Sequence, residues 1–331
     1  MNHSGYQIEK ISEEITRIEL VGLKGHGEML SAPANVYLLR GAAPGLINAG
    51  HPSQGEALAA ALRELEISPA KIERIVATSW DISVIGGAGQ FPRADLFVLS
   101  PDMVAPRDLE AQVEKERQRL ERLSAAMAEV DEDFSREGVE AALRVHFPRV
   151  SRDLHFIPLR NGHFVMVGAL KLEVLATAGP GPGHLSLFAA QEGALFCGDF
   201  ALSGFPYRLE NAQNYLLSME RLAELPTDRV LPNRGRPYRR GKLTMGRAAM
   251  FVDNFLSSVP TALVEGPRVR DFIERDLGRT PEDPMDLLLT HQIFQALLDE
   301  LVRTRTIAAS GEGVSRRYGV DVEDHRKEIR R

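Results

Sequence analysis

Several stretches of this chain are apolar without alternation, and that limits the folds open to it. "IERIVATS" (72–79) and "ADLFVLS" (94–100) read as strands with apolar side chains on both faces. A strand of that kind needs cover on each side of its sheet, and helices are the usual cover. "GEALAAALRELEIS" (55–68) supplies one, with Leu and Ala at helical intervals. "ITRIELVG" (15–22), "NVYLLRG" (35–41) and "APGLINAG" (43–50) add two strands and a turn leading into a third, short strand.

Strand patterns return at "DLHFIPL", "HFVMVG" and "LKLEVLATAG", and then in "HLSLFAAQEGALFCGDF", a hairpin around Glu192-Gly193. A helix, "NAQNYLLSMERLAEL", and a last strand and loop, "DRVLPNRG", follow. From about Thr244 onward the pattern is helical, as expected of a small helical subdomain after a first domain of 1–243. Between about 104 and 150 the chain changes character, and its segment "RDLEAQVEKERQRLERLSAAMAEVDEDF" is charged and free of Gly and Pro. The expectation is an inserted helical hairpin. It reads either as a solvated amphipathic helix or as a lid or arm through which a homodimer could form.

The chain has 331 residues, 26% of them charged, and a formal net charge of -6. That balance argues against nucleic-acid or anionic-membrane partners, although "NRGRPYRRGK" is locally basic. A single cysteine, Cys197, allows no intrachain disulfide and no cysteine-rich metal site. The opening "MNHSGYQIEKISEEI" has no basic stretch before an apolar one, and no apolar run nears the roughly 20 residues of a membrane span. A cytoplasmic location is expected.

Four segments in order, "NVYLLRGAAPGLINAG", "IERIVATSWDISVIGGAGQF", "LEVLATAGPGPGHLSLFAAQEGALFCGDF" and "DRVLPNRG", resemble the metallo-β-lactamase superfamily over about residues 15–240, its glyoxalase II-like and lactamase-like hydrolases in particular. The resemblance implies an αββα sandwich, an α/β fold. It also locates a metal site and shows its ligands replaced. The three loop histidines fall on Ser79, Asp81 and Val84, and the loop aspartate on Ser83. A further histidine position is Pro180, the last is Arg234, and the aspartate of the Leu-Ile-Asp strand is Asn48. Asp199 keeps its family identity, that of a carboxylate bridging two metals.

A catalytic zinc or iron needs at least three imidazole, thiolate or carboxylate ligands. Valine, proline and a permanently protonated guanidinium supply none. No metal and no other cofactor is therefore expected. Asp81 and Asp199 leave open an oxygen-only magnesium or calcium site. Without metal, Asp199 wants a cation, and Arg234 is expected to pair with it, and with Asp81 too. The other reading leaves Arg234 in solvent with the "RGRPYRR" run.

His51 is expected at the pocket rim, His184 near the pocket or as a structural histidine, and His26 on a bordering hairpin. Ser79 or Ser83 with His184 and Asp199 would make a Ser-His-Asp reading, without the Gly-x-Ser-x-Gly elbow. Trp80 is expected either to wall an apolar pocket with Phe200, Phe205, Tyr207 and Tyr238, or to fill space left by the metals. Pocket candidates are thus Asn48, His51, Trp80, His184 and Arg234. Arg208, Arg236, Arg239 and Arg240 suit an anionic ligand at the rim. The functional expectation is a non-metal, hydrolytically inactive relative that binds a small acyl- or thioester-like anion or a protein. A thioester, lactone or ester hydrolase with an atypical site is the alternative, and an assembly partner acting through the helical arm a third.

Overall fold

The computed structural model describes residues 5–22, 33–100, 109–131, 134–147, 154–181, 183–202, 206–259, 268–277 and 281–319. In chain order the first half gives β1 (Tyr6–Lys10), β2 (Ile15–Leu20), β3 (Ala34–Leu39), β4 (Gly45–Ile47), α1 (Gly55–Glu64), β5 (Arg74–Val76), α2 (Ile82–Ile85) and β6 (Asp95–Leu99). The insertion follows as α3 (Leu109–Val130) and α4 (Arg136–His146), and β7 (His155–Leu159) returns to the sheet. The second half gives β8 (Phe164–Val167), β9 (Leu170–Ala176), β10 (Leu185–Ala189), β11 (Ala194–Gly198), α5 (Ala212–Ala223), β12 (Arg229–Pro232) and β13 (Tyr238–Arg239). Three helices close the chain, α6 (Gly241–Ser258), α7 (Val269–Leu277) and α8 (Pro284–Arg303), with a hairpin of β14 (Ala308–Ser310) and β15 (Arg317–Gly319).

Strands β1 to β7 form one sheet in sequence order, antiparallel to β4 and parallel from β4 to β7. The second sheet runs β13-β12-β11-β10-β9-β8. Every residue of β3 is buried, and its alternation shows why. Tyr37 and Leu39 enter the core between the sheets, where Tyr37 meets Phe196 edge-on at 5.2 Å. Val36 and Leu38 point the other way, into the cluster with Leu58 and Leu62 of α1. Successive side chains take opposite faces, so an all-apolar strand must be sandwiched. The outer face of the second sheet, with Leu175, Phe188, Leu195 and Cys197, is covered by α5 and the later helices. The layers are therefore αββα.

The insertion is a helical pair over its described residues, and it packs inward. Leu120, Met127, Val139 and Leu143 join the cluster that holds Phe294, Leu297 and Leu298 of α8. On α3, Arg117 pairs with Glu114 and Glu121, and Arg119 with Glu116. The end of the chain departs from the helical expectation, since β14 and β15 form a small antiparallel hairpin there. His26 and Phe205 lie outside the described residues. No helix among the described residues is long and apolar enough to cross a membrane.

Candidate functional site

The loops that follow β4, β5, β11 and β12 meet at one edge of the sandwich. Asn48, just after β4, has φ +64°, a left-handed conformation that Asn tolerates better than most residues. Its Oδ1 accepts from Thr78 N and Thr78 Oγ1, both at 3.0 Å. Its Nδ2 donates to Asn233 Oδ1 at 2.6 Å. Asn233 Nδ2 in turn donates to Thr78 Oγ1 and to Asp199 Oδ1, both at 2.7 Å. Asn35 fixes the last loop, its Nδ2 donating to the carbonyls of Pro232 and Gly235 at 2.8 and 2.7 Å. A closed set of amides and a hydroxyl thus holds one oxygen of Asp199. Asn48 lies beneath the site as a brace.

Asp81 caps α2. Its Oδ1 accepts from Ser83 N at 2.8 Å and Ser83 Oγ at 2.5 Å, and its Oδ2 from Arg208 Nη1 at 2.9 Å. Burial pushes the Asp81 carboxyl upward, but the Arg208 guanidinium, His146 and the Ser83 bonds outweigh it and hold it well below the usual carboxylate range. Arg208 also grips Glu210, with Nη2 to Oε1 at 2.6 Å. It stays firmly charged, because Asp81, Glu210 and Glu116 overcome its burial.

The cation on Asp81 is therefore Arg208. The pairing expected of Arg234 is not found among the ion pairs of the described residues. Arg234 Nη2 lies 3.3 Å from Ser83 Oγ, and its guanidinium stacks over Tyr207 at 5.6 Å. Asp199 forms no ion pair among the described residues, and its Oδ2 is buried without a hydrogen-bond partner there.

His184 is wholly buried. Its Nε2 accepts from Asp199 N at 2.8 Å, so the ring proton sits on Nδ1 and is donated to Thr177 O at 2.8 Å. Burial lowers its pKa, against an opposing pull from the Asp199 charge. Both nitrogens are committed, so the Ser-His-Asp reading is not assembled among the described residues. His51 is buried, not at the rim. Its Nδ1 accepts from Ser53 N at 3.2 Å, and Nε2 donates to His146 O at 2.8 Å. Val84 likewise turns into the core behind the first sheet.

A cavity of about 740 Å³ opens over this edge, between the loops, α3 and α8. Asp81, Ser83, Asp199, Arg208, Tyr207 and Arg234 line its polar end. Leu120, Leu123, Ala126, Leu289, Ile293 and Val314 form an apolar wall. A smaller cavity of about 310 Å³ shares Asp81, Asp199 and Arg208 and adds Ser79, Trp80, Pro180 and His184. Trp80 donates Nε1 to Leu99 O at 3.3 Å and packs near Phe156. Gly183 makes its room, since a Cβ there would collide with the indole. Phe200 is buried against His184 and Tyr215, and Tyr238, Arg236, Arg239 and Arg240 line neither cavity.

The residues present do not fit a metal. Among the described residues no group of three His, Cys, Asp or Glu side chains is placed to share an ion. Asp81 has both oxygens engaged and His184 both nitrogens, which leaves Asp199 as one carboxylate. One ligand is too few for zinc, and an oxygen-only magnesium or calcium site loses Asp81 as well.

Several residues of the site carry no motif. Arg122 of α3 lines the cavity and forms no ion pair among the described residues. His291 of α8 lines it too, buried, with Nδ1 lacking a partner among the described residues. The trace of His291 in the sequence is a histidine on the apolar stripe of "MDLLLTHQIF".

The sequence model described as "Metallo-beta-lactamase superfamily" matches residues 32–234. A beta-lactamase-like protein 2 homolog of Caenorhabditis elegans is 28% identical over 231 residues, 69% of this chain. The match spans 63% of that relative's length, less than two thirds of it. A metallo-beta-lactamase family protein from Thermus thermophilus superposes with a TM-score of 0.73 at 21% identity, over 94% of this chain and 100% of its own. A beta-lactamase domain protein from Burkholderia ambifaria gives 0.73 at 17% identity, over 97% and 96%. With the αββα layers and the loops gathered at one edge, these matches settle the family: the chain belongs to the metallo-β-lactamase superfamily.

Proposed function

We propose that this chain is a ligand-binding member of its superfamily that does not run metal-dependent hydrolysis, and that its cavity takes a small acyl- or thioester-like molecule with an anionic end. One observation carries the reading: a cavity of about 740 Å³ stays open over an edge whose carboxylate Asp81 is held by Arg208 and Ser83 rather than offered to an ion. The apolar wall suits an acyl chain. Arg122 and Arg234 suit the anionic end. A concave site of this size favours a small molecule over a protein partner.

Calorimetric titration with short acyl thioesters, run beside a thiol-release assay on the same compounds, tests the reading. Saturable binding without thiol release is the expected result. Steady release that survives a chelator and vanishes in Asp81→Asn would replace it with the atypical-hydrolase reading.

A further inference from the structure

Five acidic side chains line the larger cavity, and four are matched to arginine. Asp81 and Glu210 share Arg208, Glu116 holds Arg119 at 2.6 Å, and Asp299 holds Arg316 at 2.5 Å. Asp199 stands apart. Its Oδ1 receives a neutral amide, Asn233 Nδ2, at 2.7 Å, and its backbone N–H is spent on His184 Nε2. Oδ2 is buried and has no donor among the described residues. A buried carboxylate oxygen without a donor is an unfavourable arrangement for an isolated protein. The amides of Asn48, Asn233 and Asn35 nonetheless hold it in place.

We propose that Asp199 anchors the ammonium group of a small primary amine with an apolar body. An ammonium fits where a metal does not. It needs one charge-assisted hydrogen bond to a single carboxylate, whereas a metal needs several ligands and finds the neighbouring ones committed. The body of the amine runs along Leu120, Leu123, Leu289 and Ile293. The inference rests on the reading that this cavity is a ligand site, and it names the group at the polar end. An amine-bearing acyl compound meets both, its ammonium on Asp199 and its anionic end by Arg122 or Arg234.

The test compares n-octylamine, n-octanol and octanoate by calorimetry at pH 7 on the full chain, on Asp199→Asn and on Asp299→Asn. Octylammonium should bind the wild type about tenfold more tightly than octanol, the margin of one good charge-assisted bond. Asp199→Asn should remove that margin without weakening octanoate, while Asp299→Asn keeps it. Melting curves on both variants confirm folding. Octylammonium no better than octanol, or a preference that survives Asp199→Asn, overturns the inference. If octanoate binds in that case, the acyl-site reading stands alone. If none of the three binds, both readings fall.

Discussion

At the residue scale, Asp199 sets stability against binding. Replacing it with Asn keeps the shape and the acceptor for Asn233 Nδ2 but removes a charge whose Oδ2 is buried without a donor among the described residues. Asp199→Asn should raise stability by about 1 kcal/mol, read as a higher denaturation midpoint at constant slope. Lower stability would mean that the charge has a partner. Gly198 makes the converse case. It has φ +66°, and a Cβ there would strike His184 Nε2. Gly198→Ala should destabilise by roughly 2 kcal/mol or more, strain and collision acting together.

The buried histidines give the pH dependence. Burial pushes the pKa of His291 down to about 4, and His184 is also lowered. The unfolded chain then binds protons that the native state refuses, so stability falls as pH drops from the ordinary histidine value near 6.5 toward 4. The lowered carboxyl of Asp81 stabilises fully above its unfolded value near 3.8, and that stability is lost only as pH falls below it. Urea melts at pH 7 and pH 4.5 should show the loss, and His291→Gln should reduce it. An equal loss in that variant would exonerate His291. The partner of Asp81 shows how far residues can be read. The ordered segments put Asp81, Asp199 and Arg234 at one edge, where they line one cavity. They fix backbone positions, however, and not the reach of a long side chain. Arg208, 127 residues from Asp81, sits in "FPYRLE" with no motif to announce its partner.

At the scale of elements, legibility follows burial. The apolar strands β3, β5, β6, β10 and β11 announce themselves, because covered faces demand apolar side chains. Strand β1 is hidden for the opposite reason: it is an edge strand whose side chains are mostly exposed. Strands β14 and β15 are hidden by their length, three residues each. The charged insertion announces helix but not partner. Its charges lie in pairs along α3, and what its apolar residues meet lies far along the chain, on α8. That contact should be measurable. Leu297 of α8 is fully buried in the cluster that includes Leu120 and Met127 of α3. Leu297→Ala should cost roughly 2–5 kcal/mol, the range for a large buried side chain cut to Ala. A loss under about 0.5 kcal/mol, the size of a surface effect, would mean that the helices do not pack as described.

The whole molecule raises the question of what the sandwich needs in order to stand. The family match ends at residue 234, and a cut near 243 looks natural on the sequence. Packing argues otherwise. The outer face of the second sheet, through Phe188 and Leu195, shares one apolar cluster with Tyr215, Met219 and Leu222 of α5. Val252 and Phe255 of α6 belong to it too, as do Phe294, Leu297 and Leu298 of α8. Ending the chain at 243 would bare the faces of α5, α3 and α4 that these residues cover. Each large side chain returned to water forfeits roughly 1.5–3 kcal/mol, and a domain's whole margin is about 5–15 kcal/mol. A fragment of residues 1–243 should therefore aggregate, or bind a hydrophobic dye with no cooperative melt. It should also lose the cavity, because Leu289 and Ile293 of α8 form part of its apolar wall. A monomeric fragment with a single sharp transition would show instead that the sandwich stands alone and that the C-terminal helices serve the ligand site only.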